Sequence, residues 1–409
     1  MSIFSPFNGL LPQADKASLV AAVPYDVVNS EEAAQLAEGN MLSFLRVARP
    51  EIELEPGISL YDDRVYEKAA ENFRRLCETA PLSLDKGRHL YVYSLKMGDH
   101  RQTGIIGAAS TEDYDNDIIK KHEKTRKDKE DDRTRHVMTL RSHTGPVFLT
   151  YRDSDSIDNA VSEITAEEPL FDFVAPDGIQ HQLWRVSEEK SAQIADYFEK
   201  IPSLYIADGH HRAASASRTA AECRKNNQNH TGKEEYNYFL AVAFPATQLQ
   251  ILPYNRAVKD LNGLDDTEFF NKVLQRFDVE DTDEANAESP GDIRMYIGGK
   301  WYKLKCKVDI SADDVIASLD VSILQDHLLA PVLGIADPRT DKRIDFIGGI
   351  RGTDELEKLV DSGKMAVAFS MYPTTVDQLI AIADAGEIMP PKSTWFEPKL
   401  RDGMVCHNF

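Results

Sequence analysis

The sequence predicts an α+β protein of more than one domain, and three observations carry that prediction. Its 409 residues exceed what one small hydrophobic core organises. Short apolar runs and segments of helical spacing follow one another without the strict alternation of a doubly wound sheet. Midway, the apolar run Leu204-Tyr205-Ile206-Ala207 meets Asp208-Gly209-His210-His211-Arg212 and then an alanine-rich stretch from Ala213, which reads as strand, turn and helix.

The expected domains are residues 1–115, 116–245 and 246–409. In the first, Leu19 to Val23 is an apolar run closed by Pro24-Tyr25-Asp26. Ser30 to Ala37 reads as a helix ended by Gly39-Asn40. Tyr61 to Cys77 places Val65, Ala69, Phe73 and Leu76 on one helical face. The runs from His89 to Leu95 and from Gln102 to Ala109 flank Gly98-Asp99 as a hairpin.

Asp117 to Arg141 is dense in charge. From Lys120 to Arg141 there are nine basic and five acidic residues, a local excess of positive charge. Read alone, this is a solvated helix with i,i+4 pairs such as Glu123 with Lys127. Further strands are expected at Gly145 to Tyr151 and Tyr236 to Phe244, a hairpin around Asp177-Gly178, and helices near Ile157 to Glu168 and Ser187 to Lys200. In the last domain, strands are expected at Met295 to Ile297, Trp301 to Leu304 and Met365 to Met371. Helices are expected at Val321 to Leu333 and Val376 to Ala385, before a rigid, aromatic tail.

Composition narrows the function classes. The net charge is −21, from 47 basic and 68 acidic residues, and such a field opposes non-specific binding to nucleic acid or acidic membranes. No run approaches the ~20 apolar residues of a spanning helix, and the N-terminus lacks the pattern of a signal peptide. The cysteines Cys77, Cys223, Cys306 and Cys406 are scattered, without a Cys-x-x-Cys pair, so neither a zinc cluster nor a dithiol motif is expected. Scattered thiols fit a reducing, cytoplasmic location.

The chemistry centres on Asp208 to Arg212. A glycine turn entering a helix leaves backbone N–H groups without intrahelical partners at the positive end of the helix dipole. His210, His211 and Arg212 add donors there, which is the make-up of an oxyanion site, phosphate above all. Asp208 has two open roles, capping the helix start or binding Mg²⁺ beside phosphates. Glu123 sits among cations that favour its ionised form, so it can accept a proton from a hydroxyl. Lys392-Ser393-Thr394 lacks the glycine loop of a Walker motif and reads as part of a core-sealing tail.

The stretches Val23-Pro24-Tyr25-Asp26-Val27-Val28, Lys121-His122-Glu123-Lys124-Thr125, Asp208-Gly209-His210-His211-Arg212 and Met389-Pro390-Pro391-Lys392-Ser393-Thr394 resemble the family known as domain of unknown function 1015. Across residues 116–245, the Lys-x-His-Glu stretch followed by Asp-Gly-His-His-Arg also resembles the ParB/sulfiredoxin fold as used by free serine kinases, with an insertion around 152–180. That resemblance implies a central phosphate-binding core. It implies that Asp208, Gly209, His210, His211 and Arg212, with Lys121 and His122, bind ATP or ADP, accompanied by Mg²⁺. It implies that Glu123 and His211 act in catalysis, Glu123 as general base on the hydroxyl of free L-serine. The expected activity is therefore nucleotide-dependent phosphorylation of a small alcohol. The alternative is a ParB-like partition or regulatory protein that binds nucleotide without turnover; the acidic charge balance opposes its DNA-binding form.

Overall fold

The computed structural model describes residues 2–79, 81–311 and 314–409. The chain forms two compact units, Met1–Leu249 with Pro398–Phe409, and Gln250–Glu397. The expected break near residue 115 is not a boundary between compact units. Strands from both sides of it hydrogen-bond in one sheet, so neither half can bury its apolar face alone. The expected boundary near 246 lies close to the observed one, but the last twelve residues return to the first unit.

Among the described residues of the first unit, nine strands form a mixed sheet. Its order is Ile119–Lys120, Leu204–Asp208, Val147–Tyr151, Tyr238–Pro245, His100–Ser110, Tyr91–Met97, Gln180–Arg185 and Phe171–Val174, with Phe4–Ser5 added on His100–Ser110. The hairpin register Met97↔His100 leaves a two-residue loop, and Gly98 supplies its positive φ of 58°. The segment read as an insertion contributes Phe171–Val174 and the start of Gln180–Arg185 at the edge of this sheet.

Helices Asp155–Thr165, Glu188–Phe198 and His210–Asn226 cover the sheet, through Ile157, Ile164, Ile194, Phe198, Ala213 and Ala216. Their alanines let the last of these approach the strands closely. A second cluster forms around the helix Asp63–Glu78, whose Val65, Ala69, Phe73 and Leu76 are buried at the predicted spacing. Burying each of the larger side chains is worth roughly 1.5–3 kcal/mol. The cluster is capped by a small sheet in the order Leu82–Leu84, Gly9–Pro12, Cys406–Asn408, Ser142–His143. Cys406 and His407 are thus core residues, with His407 bonded to Glu235 at 2.9 Å.

Two local expectations are corrected. The charged helix runs from Lys127 to Leu140, so Glu123 lies in the loop before it and not one helical turn from Lys127. Arg126, the residue before the helix, is extended, and the Thr125 hydroxyl donates to Glu130 at 2.5 Å, which holds the entry. The alanine-rich helix starts at His210, not Ala213, so both histidines and Arg212 occupy its first turn.

The second unit holds a six-stranded antiparallel sheet. Its order is Phe277–Thr282, Lys300–Cys306, Ile293–Ile297, Val367–Met371, Tyr254–Val258, Ile344–Gly348. Helices Asp266–Leu274, Asp354–Asp361 and Val376–Asp384 belong to it, and Leu356 packs into a core with Ala257, Tyr296, Trp301 and Ala368. Among the described residues, no helix is long and apolar enough to cross a membrane.

Candidate functional site

A short strand pairing brings the two histidine-bearing motifs together. Ile119 and Lys120 run parallel to Leu204 and Tyr205. Parallel strands leave a sheet at the same end, so the loop from Lys121 and the turn at Asp208 emerge side by side.

The contacts are specific. The backbone N–H of His122 donates to Nε2 of His210 at 3.4 Å, and that of Arg126 donates to Nε2 of His211 at 3.1 Å. Each acceptance places the ring proton on Nδ1 of a neutral imidazole. Nδ1 of His210 lies 4.0 Å from Oε2 of Glu123. The rings of His122 and His210 meet edge to face with centroids 4.4 Å apart. Burial pulls His210 well below the usual histidine range and His122 down to about 4, so both are neutral at pH 7. The His210–Glu123 approach is therefore a neutral N–H facing a carboxylate rather than an ion pair.

Gly209 heads the helix with φ 91° and ψ 30°, and no side chain caps the first turn. A Cβ here would also meet Nε of Arg212 at 2.9 Å, so glycine is required on both counts. The N–H groups of the first turn thus remain available to an anion.

Asp208 does not cap those groups. Its Oδ1 accepts from the N–H of Gly209 at 2.8 Å, and its Oδ2 holds the ammonium of Lys399 at 3.0 Å. Burial opposes its charge, but Lys399 and Arg212 override that and hold the carboxyl well below the usual range. The ammonium of Lys399 already balances the charge of Asp208, which is the place a cation would take. Among the described residues, no three His, Cys, Asp or Glu side chains gather around a metal position.

Arg212 turns inward. It donates through Nη1 to the Pro146 carbonyl and lines a cavity of about 40 Å³ with Tyr25, Arg133, His143 and Asp402. Such a space holds a water or two. Nε of Arg212, Nε2 of His143 and Oδ1 of Asp402 are buried there without a protein partner. Burial pushes the Asp402 carboxyl up to about 7, against the pull of Arg212. Asp26 also faces Arg212 and His211 electrostatically.

One family model matches residues 4–322, most of the chain. The chain belongs to the family of proteins of unknown function DUF1015. No curated protein matches it. Among solved structures, it is similar to a free serine kinase in complex with AMP, at 12% identity over 72% of this chain and 86% of that one, with a TM-score of 0.34. It is similar to SbnI with a C-terminal truncation from Staphylococcus aureus, at 14% identity, 73% and 86% coverage and a TM-score of 0.40. A conserved hypothetical protein from Pyrococcus furiosus gives 13% identity, 73% and 93% coverage and a TM-score of 0.35.

Of the residues singled out in this DUF1015 protein, the structure gathers His122, Glu123, Asp208, Gly209, His210, His211 and Arg212. Lys121 is held elsewhere, its ammonium 2.7 Å from Asp117 and over the Tyr114 ring. Sequence reasoning missed Tyr25, Asp26, Arg133, Lys399 and Asp402. The available signal was the quoted stretch Val23 to Val28, which holds Tyr25 and Asp26; linear distance hid its approach to Arg212.

Proposed function

We propose that this protein transfers a phosphoryl group from a nucleoside polyphosphate, ATP or ADP, to the hydroxyl of a small acceptor, with free L-serine as that acceptor. One observation carries the reading: Glu123 stands against the Nδ1–H of His210 at an uncapped, glycine-headed helix start. A carboxylate and an anion cradle are the two parts such a transfer needs from a protein.

In this reading the N–H groups of His210, His211 and Arg212 bind the phosphates, and the neutral imidazoles add no charge that would quench Glu123. The acceptor oxygen forms the new P–O bond, the bond to the departing nucleotide breaks, and Glu123 takes the hydroxyl proton. His210 presents its Nδ1–H toward Glu123 at 4.0 Å, beyond hydrogen-bond length. His211 is a positioning residue, since its Nε2 pins the loop that carries Glu123. Bound nucleotide supplies the phosphoryl group and the leaving group.

The test is nucleotide-product formation with L-serine present. Glu123→Gln should lower kcat at least 100-fold while leaving nucleotide affinity within about threefold, the split expected of a lost general base. Equal turnover by wild type and variant removes Glu123 from the reaction.

A further inference from the structure

The second unit contains a cavity of about 340 Å³ whose walls include Val321, Leu329 and Ile388, with Arg256, Gln325 and Arg339. This is the size of a small-molecule site. Arg339 is at an exposed position and pairs with Asp337 at 2.9 Å, so that pair is neutral. Arg256 differs. It is 3% exposed, and among the described residues no carboxylate pairs with it.

Its guanidinium donates through Nη1 to the Tyr254 carbonyl and through Nη2 to the Pro391 and Lys392 carbonyls, at 3.3 and 2.9 Å for the last two. It also lies 5.1 Å from the Phe346 ring centroid. Three of its five N–H groups are thereby used, and two remain. Burial without a compensating anion pulls it down to about 9. Gln325 donates through Nε2 to the Ile335 carbonyl at 2.7 Å, while its buried Oε1 accepts no hydrogen bond.

We infer that this cavity binds a small apolar carboxylic acid carrying a neighbouring hydrogen-bond donor, a 2-hydroxy or 2-amino acid, with its carboxylate on Arg256 and its donor on Oε1 of Gln325. One buried cation calls for one monoanion, and the remaining Nε–H or Nη1–H can donate to a carboxylate oxygen. A phosphate dianion would leave an unbalanced buried charge. The walls contributed by Val321, Leu329 and Ile388 suit an aliphatic side chain. The Met389-Pro390-Pro391 stretch gains a role here, lining the cavity and supplying a carbonyl that fixes the guanidinium. The inference is independent of phosphoryl transfer at Glu123.

The experiment is isothermal titration of the full chain with three probes: 2-hydroxy-4-methylpentanoate, 4-methylpentanoate, which lacks the donor, and 4-methylpentanamide, which lacks the charge. The hydroxy acid should bind at one site, roughly tenfold or more tighter than the amide. Arg256→Gln should remove that preference. Gln325→Leu should erase the difference between the hydroxy acid and 4-methylpentanoate while retaining the preference for charge. Should Arg256→Gln fail to melt cooperatively, the Gln325→Leu comparison decides. Absence of hydroxy-acid binding by wild type at about 10 mM, the weak end of specific recognition, overturns the inference. So does amide binding as tight as the acid, or binding lost in His211→Ala but kept in Arg256→Gln.

Discussion

Replacing Lys399 by methionine tests how the turn at Gly209 is held. The ammonium lies 3.0 Å from Oδ2 of Asp208, with the lysine side chain 14% and the aspartate 33% exposed. Removing one partner of a fully buried pair costs about 3–5 kcal/mol. Partial exposure of Asp208 and the remaining attraction of Arg212 reduce this to roughly 1–3 kcal/mol. For a chain of this size each kcal/mol moves the melting midpoint by about 2–4 °C, so a fall of roughly 2–12 °C is expected at pH 7. The pH dependence has a definite sign. The Asp208 carboxyl is depressed in the folded state, so its stabilisation is present above the unfolded value of about 3.9 and is lost as pH falls through the folded value. The deficit of Lys399→Met should therefore be full at pH 7 and shrink on acidification. Melting followed by near-UV circular dichroism at pH 7 and at pH 3 reads this directly. The double variant Asp208→Asn, Lys399→Met should recover part of the loss, because no carboxylate is then stranded. A deficit that is absent, constant with pH, or unchanged in the double variant refutes the reasoning.

Gly209→Ala should lower the melting midpoint, since a left-handed alanine costs about 1–2 kcal/mol before its Cβ meets Arg212, and calorimetry should show weaker nucleotide binding. Asp402 has a raised carboxyl, near 7, so the folded state binds more protons than the unfolded chain and stability falls as pH rises from about 4 to 7. Asp402→Asn should flatten that decline in denaturant titrations, and an unaltered slope would remove Asp402 as its source. His211→Ala leaves the Arg126 N–H without its acceptor, and hydrogen exchange at Arg126 should accelerate while exchange in the strand Val147–Tyr151 stays unchanged.

Much of the site was legible because its pieces are local. The change from apolar run to glycine to helix is written in adjacent residues, and the structure has strand, turn and helix there. The helix Asp63–Glu78 and the hairpin at Gly98 follow from spacing in the same way. What the sequence did not show depends on pairing between distant segments. The two-residue strand Ile119–Lys120 is too short for a periodic signal, yet its parallel pairing is what brings Glu123 to His210. Lys399 follows Asp208 by nearly half the chain and reaches it, as Asp402 reaches the cavity at Arg212, only because the tail returns to the first unit. The first unit runs through residue 115 because strands on both sides of it pair in one sheet, and no local signal carries that pairing.

The most direct measurement is phosphorus NMR of the full chain incubated with ATP or ADP, Mg²⁺ and L-serine. The proposed transfer predicts a phosphoserine resonance with wild type, and its reduction at least 100-fold with Glu123→Gln at unchanged nucleotide affinity. Nucleotide consumed without phosphoserine, or phosphoserine formed equally by both proteins, would contradict it.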